Sequence, residues 1–293
     1  MATTLTPEFI VPELELRDLA RKMGRLEAMA FDVDGTLANA QSYVSDRTIA
    51  AIRALSERGV EPIIVTGRLW DAAAEIMRRA GHEGIAIGSN GAIIGHSDTG
   101  EIFYSQPLDP DESKKITEIG RKYHLITTLF SEDSIYVEQL DMNSDFLQGA
   151  HKDLPIKVQK FETVDPTHIY KMMFGHVDAN YLDQISPELS EICPNAQRSI
   201  DNFFDIASLG EGKDKAMKIV SEKTGINLER VAGFGDGGND VDWLKLVGWP
   251  IAMGNARSEV KDIARATIGH HSDDAVAAFL EIYVEELDQN FEA

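Results

Sequence analysis

Short apolar runs and helical spacings alternate along the first part of the chain. LEAMAFDVD, from Leu26 to Asp34, has the run of apolar positions that a buried strand shows. The period then changes. Ile49, Ile52 and Leu55 share one face of a helix expected from about Asp46 to Arg58, and Gly59 stops it. VEPIIV returns to the strand pattern. A helix over about Trp70 to Arg79 follows, closed by Gly81, and GIAIGSNGAII reads as a third strand with a glycine-rich end. Strands and helices alternating through short loops predict a parallel sheet with crossover helices.

The rhythm breaks after this point. EIFYSQ, LITTLF, SIYVEQ and IYKMMFGH are short strand patterns, interrupted by the helical stretches DESKKITEIGRKY and DANYLDQISPELSEI. Several of these strands follow one another directly, as in an antiparallel sheet. This predicts an α+β domain over residues 92–198, inserted into a core formed by residues 1–91 and 199–293. In the second core segment the parallel rhythm resumes, with a helix over about Lys213 to Lys223 and the strands RVAGFGD, WPIAMG and RATIG. Residues 1–24 form an N-terminal extension, with a helix expected from about Glu13 to Met23.

Charge narrows the function classes. Asp and Glu outnumber Lys and Arg 49 to 28, for a formal charge of -21. Such a surface repels nucleic acid and anionic membrane, so an anionic substrate needs local positive charge or a metal. No stretch approaches the roughly 18 apolar residues that span a bilayer, and the N-terminus lacks the pattern of a secretory signal. Cys193 is the single cysteine, so no intrachain disulfide is possible, and it reads as a packing residue. A cytoplasmic protein, monomeric or homodimeric, is expected.

Four polar clusters follow strand ends or open helices, where parallel sheets bind ligands. The first is Asp32-Val33-Asp34-Gly35-Thr36. Two carboxylates at the end of a buried strand are costly unless they hold a cation or do chemistry. A carboxylate can serve as nucleophile in phosphoryl transfer while a neighbour handles protons. A capped turn is the structural alternative. A calcium loop is excluded, because Leu37 and Tyr43 stand where a glycine and a glutamate are required. The second cluster is Thr66-Gly67-Arg68, whose hydroxyl and backbone N–H groups suit phosphate oxygens. The third is Lys213, at a helix start where the dipole opposes its charge unless an anion lies near. The fourth is Gly235-Asp236-Gly237-Gly238-Asn239-Asp240, a set of hard oxygen ligands that suits magnesium. No histidine or cysteine cluster accompanies it, which argues against zinc.

Together, DVDGT, VTGR, Lys213 and GDGGND resemble, in order and spacing, the four motifs of the haloacid dehalogenase superfamily of phosphohydrolases. SNGAII and AMGNARSEVKDIARATIGHHSDD resemble its Cof-type subfamily in particular. The resemblance implies a Rossmann-like parallel α/β core with an α+β type 2 cap, and the cap falls in the long interval between Thr66 and Lys213. It implies a Mg2+-dependent phosphatase of a small phosphorylated metabolite, such as a sugar phosphate. Asp32 is then the nucleophile and Asp34 the general acid and base. Thr66 and Lys213 hold the phosphoryl oxygens, with Gly35, Gly67, Arg68, Asn90 and Asn239 on the substrate side. Asp32, Asp34 through its carbonyl, and Asp236 ligate the metal, with Asp240 at its edge.

Two features depart from the family pattern: the long N-terminal lead-in, and Asp214 directly after Lys213, which leaves Lys215 as a possible substitute. A phosphomutase on the same core and a non-catalytic ligand-binding relative are the competing readings. A dinucleotide-binding protein is disfavoured, since no G-x-G-x-x-G follows the first strand.

Overall fold

The computed structural model describes residues 11–131, 134–150, 155–208 and 210–290. The first ten residues of the N-terminal extension lie outside them.

The extension holds α1 (Glu13–Met23), where the sequence places a helix. Leu16, Ala20 and Met23 bury one face of it. The first core segment continues with β1 (Ala28–Phe31), α2 (Asp46–Ser56), β2 (Glu61–Val65), α3 (Trp70–Ala80), β3 (Ile85–Gly88), β4 (Ile93–His96) and β5 (Ile102–Ser105). Ser45 starts α2 by accepting the Thr48 N–H at 3.1 Å, satisfying one of the orphan donors of the first turn. Ile49, Ile52 and Leu55 of that helix are all buried, each contributing about 1.5–3 kcal/mol of transfer free energy.

The inserted unit contains α4 (Pro110–Lys122), β6 (Ile126–Phe130), β7 (Ile135–Val137), α5 (Met142–Ala150), β8 (Ile156–Val158), β9 (Lys171–Gly175), α6 (Ala179–Ile192), β10 (Ala196–Ile200) and β11 (Phe203–Ile206). The chain then returns to the core through α7 (Lys213–Thr224), β12 (Val231–Gly235), α8 (Val241–Leu244), β13 (Trp249–Ala252), α9 (Ser258–Ile263), β14 (Ala266–Thr267) and α10 (Ala275–Asn290). A mixed eight-stranded sheet of order β14-β13-β12-β1-β2-β3-β4-β5 forms the core. A separate six-stranded sheet of order β10-β11-β9-β6-β7-β8 forms the insert.

The sheets correct two expectations. GIAIGSNGAII is not one strand. It is β3 and β4, paired antiparallel and joined by a tight turn in which Ser89, Asn90 and Gly91 all take positive φ. The boundaries expected at 92 and 198 also move. β4 and β5 extend the core sheet, whereas β10 and β11 pair antiparallel in the insert sheet, β11 directly on β9. The elements of the insert therefore run from Pro110 to Ile206. An apolar run tells that a strand is buried but not which neighbour it pairs with, so sheet membership was misassigned at both ends.

β1 is the pivot of the core. Its four residues are fully buried and it pairs parallel with β2 on one side and β12 on the other. The chain leaves β1 towards β2 and comes back to β12, so the strand order reverses at β1. A crevice outside the carboxyl ends of the strands opens at such a reversal. The register matches Phe31 with both Ile64 and Phe234, which brings Asp32, Thr66 and Asp236 to the same end of three adjacent strands.

Candidate active site

Asp32 leaves β1 with its N–H bonded to the Phe234 carbonyl at 2.9 Å, so the ladder to β12 fixes its backbone. Its carboxylate is buried, and Lys213 Nζ donates to Oδ1 at 2.6 Å. The same ammonium donates to Asp240 Oδ1 at 2.7 Å. Lys213 is the first residue of α7, where the helix dipole disfavours a cation, and the two carboxylates compensate. Burial works to lower the Lys213 pKa, but the charges of Asp240 and Asp32 outweigh it and raise the pKa above its ordinary value. Lys215 is not a substitute. It pairs with the buried carboxylate of Glu211, and Asp214 pairs with Lys218.

Asp240 is held from four sides. Oδ1 also accepts the Trp243 indole N–H at 2.9 Å, and Oδ2 accepts the backbone N–H groups of Asp236 and Gly237 at 3.0 and 2.9 Å. An ionised carboxylate has about four acceptor sites, so these bonds use all of them. Asp240 thereby shapes the loop that presents Asp236. Carboxylate oxygens of Asp32, Asp236 and Asp240 lie within 4.8 Å of one another. Three carboxylates face one ammonium, and the excess of negative charge suits a divalent cation with oxygen ligands. Burial, followed by the Asp240 charge, raises the pKa of Asp32 above the usual carboxylate range, and burial followed by the Asp32 charge does the same to Asp236.

Gly35 has φ +81°, and a β-carbon there would stand 2.3 Å from Asp236 Oδ2. The turn after Asp34 thus passes directly under the Asp236 carboxylate, and only glycine lets it. Asn255 joins the same two groups: its Nδ2 donates to the Gly35 carbonyl at 2.8 Å and to Asp236 Oδ2 at 3.1 Å. The His271 N–H in turn donates to Asn255 Oδ1. The sequence reading missed Asn255. A polar amide directly after the strand WPIAMG was the available signal.

The Asp34 carboxylate is not one of that group of three. Arg68 grips it with a fork, Nε to Oδ2 at 3.0 Å and Nη2 to Oδ1 at 2.6 Å, and also donates to the Ser42 carbonyl. Thr66 is fully buried and its hydroxyl accepts the Arg68 N–H at 3.1 Å, which leaves its own O–H as a donor.

Asn90, in the left-handed conformation, donates to Asp205 Oδ2 at 3.1 Å and accepts from Asn239 at the same distance. Asp205 comes from β11 of the insert and pairs with Lys171 of β9 at 2.9 Å. Lys171 Nζ also donates to the Gly67 carbonyl at 2.8 Å. Insert and core are thus tied together across the site. Neither Lys171 nor Asp205 was singled out in the sequence, although each is a lone charge inside an apolar strand.

Asp32, Asp34, Gly67, Arg68, Asp236 and Asn239 line the core side of a cavity of about 70 Å³, with insert residues opposite. A larger cavity, about 430 Å³, is lined wholly by insert residues and by none of the candidate groups.

Comparison with known proteins agrees with this geometry. A family profile described as haloacid dehalogenase-like hydrolase matches residues 29–280. The chain belongs to that family. It is a phosphatase of the Cof-type branch of this superfamily, a phosphoric monoester hydrolase. Phosphatase YwpJ of Bacillus subtilis is 25% identical, the match covering 86% of this chain and 98% of that protein. Pyridoxal phosphate phosphatase YbhA of Escherichia coli is also 25% identical, over 86% of this chain and 96% of its own. A solved haloacid dehalogenase-like hydrolase from Bacteroides thetaiotaomicron superposes with a TM-score of 0.75 at 25% identity, over 88% of this chain and 99% of that one. Among the described residues no helix is long and apolar enough to cross a membrane.

Proposed function

We propose that this phosphatase is magnesium-dependent and transfers the phosphoryl group of a small phosphorylated metabolite to Asp32 and then to water. The observation that carries the reading is the Lys213 ammonium held between Asp32 and Asp240, with Asp236 in the same group of carboxylates. Asp32, the backbone carbonyl of Asp34 and Asp236 hold the ion, and Asp240 supports them through Lys213 and the loop N–H groups. Magnesium, when bound, offsets charge on the phosphoryl oxygens.

In the first half-reaction an Asp32 oxygen attacks phosphorus and the ester P–O bond breaks. Asp34 passes a proton to the leaving oxygen. In the second half, Asp34 takes a proton from the water that attacks the aspartyl phosphate, and Asp32 and inorganic phosphate are released. The Arg68 fork favours ionised Asp34, the form needed on water. Protonating the leaving group requires one of those bonds to open, and a phosphate competing for the guanidinium opens it. Thr66 and Lys213 stabilise the charge on the transferring oxygens.

The test is phosphate release from a panel of phosphorylated metabolites with and without magnesium, with Asp32→Asn as control. Release that needs both the metal and Asp32 supports the reading. Release that persists in Asp32→Asn overturns the aspartyl-phosphate route.

A further inference from the structure

The three carbonyls of the Thr66-Gly67-Arg68 loop are held from two units, the core and the insert. The turn between β3 and β4 takes the outer two. The Asn90 N–H donates to the Thr66 carbonyl at 3.0 Å, and the Ser89 N–H to the Arg68 carbonyl at 2.6 Å. The middle carbonyl, of Gly67, accepts from Lys171 Nζ at 2.8 Å, and Lys171 opens β9 of the insert. That ammonium is buried between the two strands that flank β9. It pairs with Asp205 Oδ1 of β11 at 2.9 Å and lies 5.0 Å from the centre of the Phe130 ring of β6. The loop and the insert are in close contact here: a β-carbon on Gly67 would stand 2.9 Å from Asp205 Oδ2.

The Gly67 carbonyl and the Arg68 N–H belong to one planar peptide group. Lys171 holds its carbonyl end, and its N–H end donates to Thr66 Oγ1 at 3.1 Å. Turning that peptide moves both ends together. Accepting the Arg68 N–H directs the Thr66 hydroxyl hydrogen away from the loop backbone, where a phosphoryl oxygen can receive it. We propose that Lys171 is a positioning residue for this core loop: by fixing the Gly67–Arg68 peptide from the insert, it orients the Thr66 hydroxyl toward the transferring phosphoryl group. This rests on the phosphatase reading above. The insert then acts on turnover of every substrate, including one whose leaving group is too small for it to select.

Acetyl phosphate suits the test, since acetate is small and departs without needing a proton. Its kcat and the magnesium concentration for half-maximal rate are measured on the full chain, with Asp32→Asn as control. Lys171→Met strands the buried Asp205 carboxylate. Lys171→Met/Asp205→Asn removes that charge and keeps an oxygen for the Asn90 amide, so it separates the loop bond from the ion pair. Both variants are expected to lower kcat about 10- to 100-fold, with the magnesium requirement held within about threefold. A general loosening of the site would move both readings. Thr66→Val is expected to cost about 100-fold in the parent and less than about threefold in the double variant, because the same hydroxyl cannot be lost twice. A double variant with kcat within about threefold of a parent whose hydrolysis depends on Asp32 overturns the inference and leaves the phosphatase reading standing. Losses that multiply when Thr66→Val is added overturn the route through Thr66, as does a magnesium requirement that rises in step with the fall in kcat. A parent that releases no phosphate from acetyl phosphate with magnesium present removes the phosphatase reading and this inference with it.

Discussion

Gly35→Ala isolates the turn that passes under the Asp236 carboxylate. The new β-carbon would stand 2.3 Å from Asp236 Oδ2 and 2.6 Å from the carboxylate carbon. Ordinary contact begins near 3.4 Å, so the carboxylate and the turn must separate by about 1 Å. The backbone adds its own penalty, because φ at this position is +81° and an alanine in the left-handed region costs about 1–2 kcal/mol. Asn255 bonds both the Gly35 carbonyl and Asp236, so the displacement cannot be absorbed by one of them alone. A misplacement of about 1 Å in a catalytic constellation costs on the order of 100-fold. Gly35→Ala is therefore expected to lower kcat/KM about 100-fold and to raise the magnesium concentration needed for half-maximal rate. Thermal unfolding should fall by only a few degrees, in keeping with a penalty of about 1–2 kcal/mol. Magnesium titrations of phosphate release, alongside calorimetry, check both numbers. Activity within about threefold of the parent at the same magnesium dependence would refute the argument that this turn sets the position of Asp236.

Three further outcomes follow from single contacts. Asn255→Ala removes the amide that holds Asp236 and the Gly35 carbonyl, and is expected to weaken magnesium affinity about 10- to 100-fold, read from the same titration. Trp243→Phe deletes one of four donors to Asp240 while keeping the buried ring, so it should lower kcat modestly, about two- to tenfold, with little change in KM. Glu286 on α10 receives Arg17 and Arg21 from α1, and the Arg21 bonds chiefly lower its pKa below the ordinary 4.5. A lowered carboxyl contributes stability that is present above its unfolded pKa and lost as pH falls through the folded one. Denaturant titrations should find the parent more stable than Glu286→Gln near neutral pH, with the gap closing as pH drops below about 4.5; a gap that does not change with pH would exclude this ion pair as its source.

What could be read from the chain by itself was local. Apolar runs such as AMAF and EPIIV, bounded by turn residues, read as buried strands, and the spacing of Ile49, Ile52 and Leu55 reads as a one-sided helix. Aspartates at the end of such a run are too costly to be idle, which marked Asp32 and Asp236 before any contact was known. The side chain that balances Asp32 is far along the chain at Lys213, and only the parallel register of β1 with β12 and the placement of α7 bring the two together. The same holds for the Arg68 fork on Asp34, for Asn255, and for Lys171 and Asp205 reaching over from the insert. Strand membership was decided at that level too: IIGH and IFYS joined the core sheet because the Ser89-Asn90-Gly91 turn folds β4 back onto β3. Periodicity reports whether a residue faces water, because burial acts on each side chain separately. Pairing and charge compensation are relations between distant residues, and the tertiary structure alone sets them.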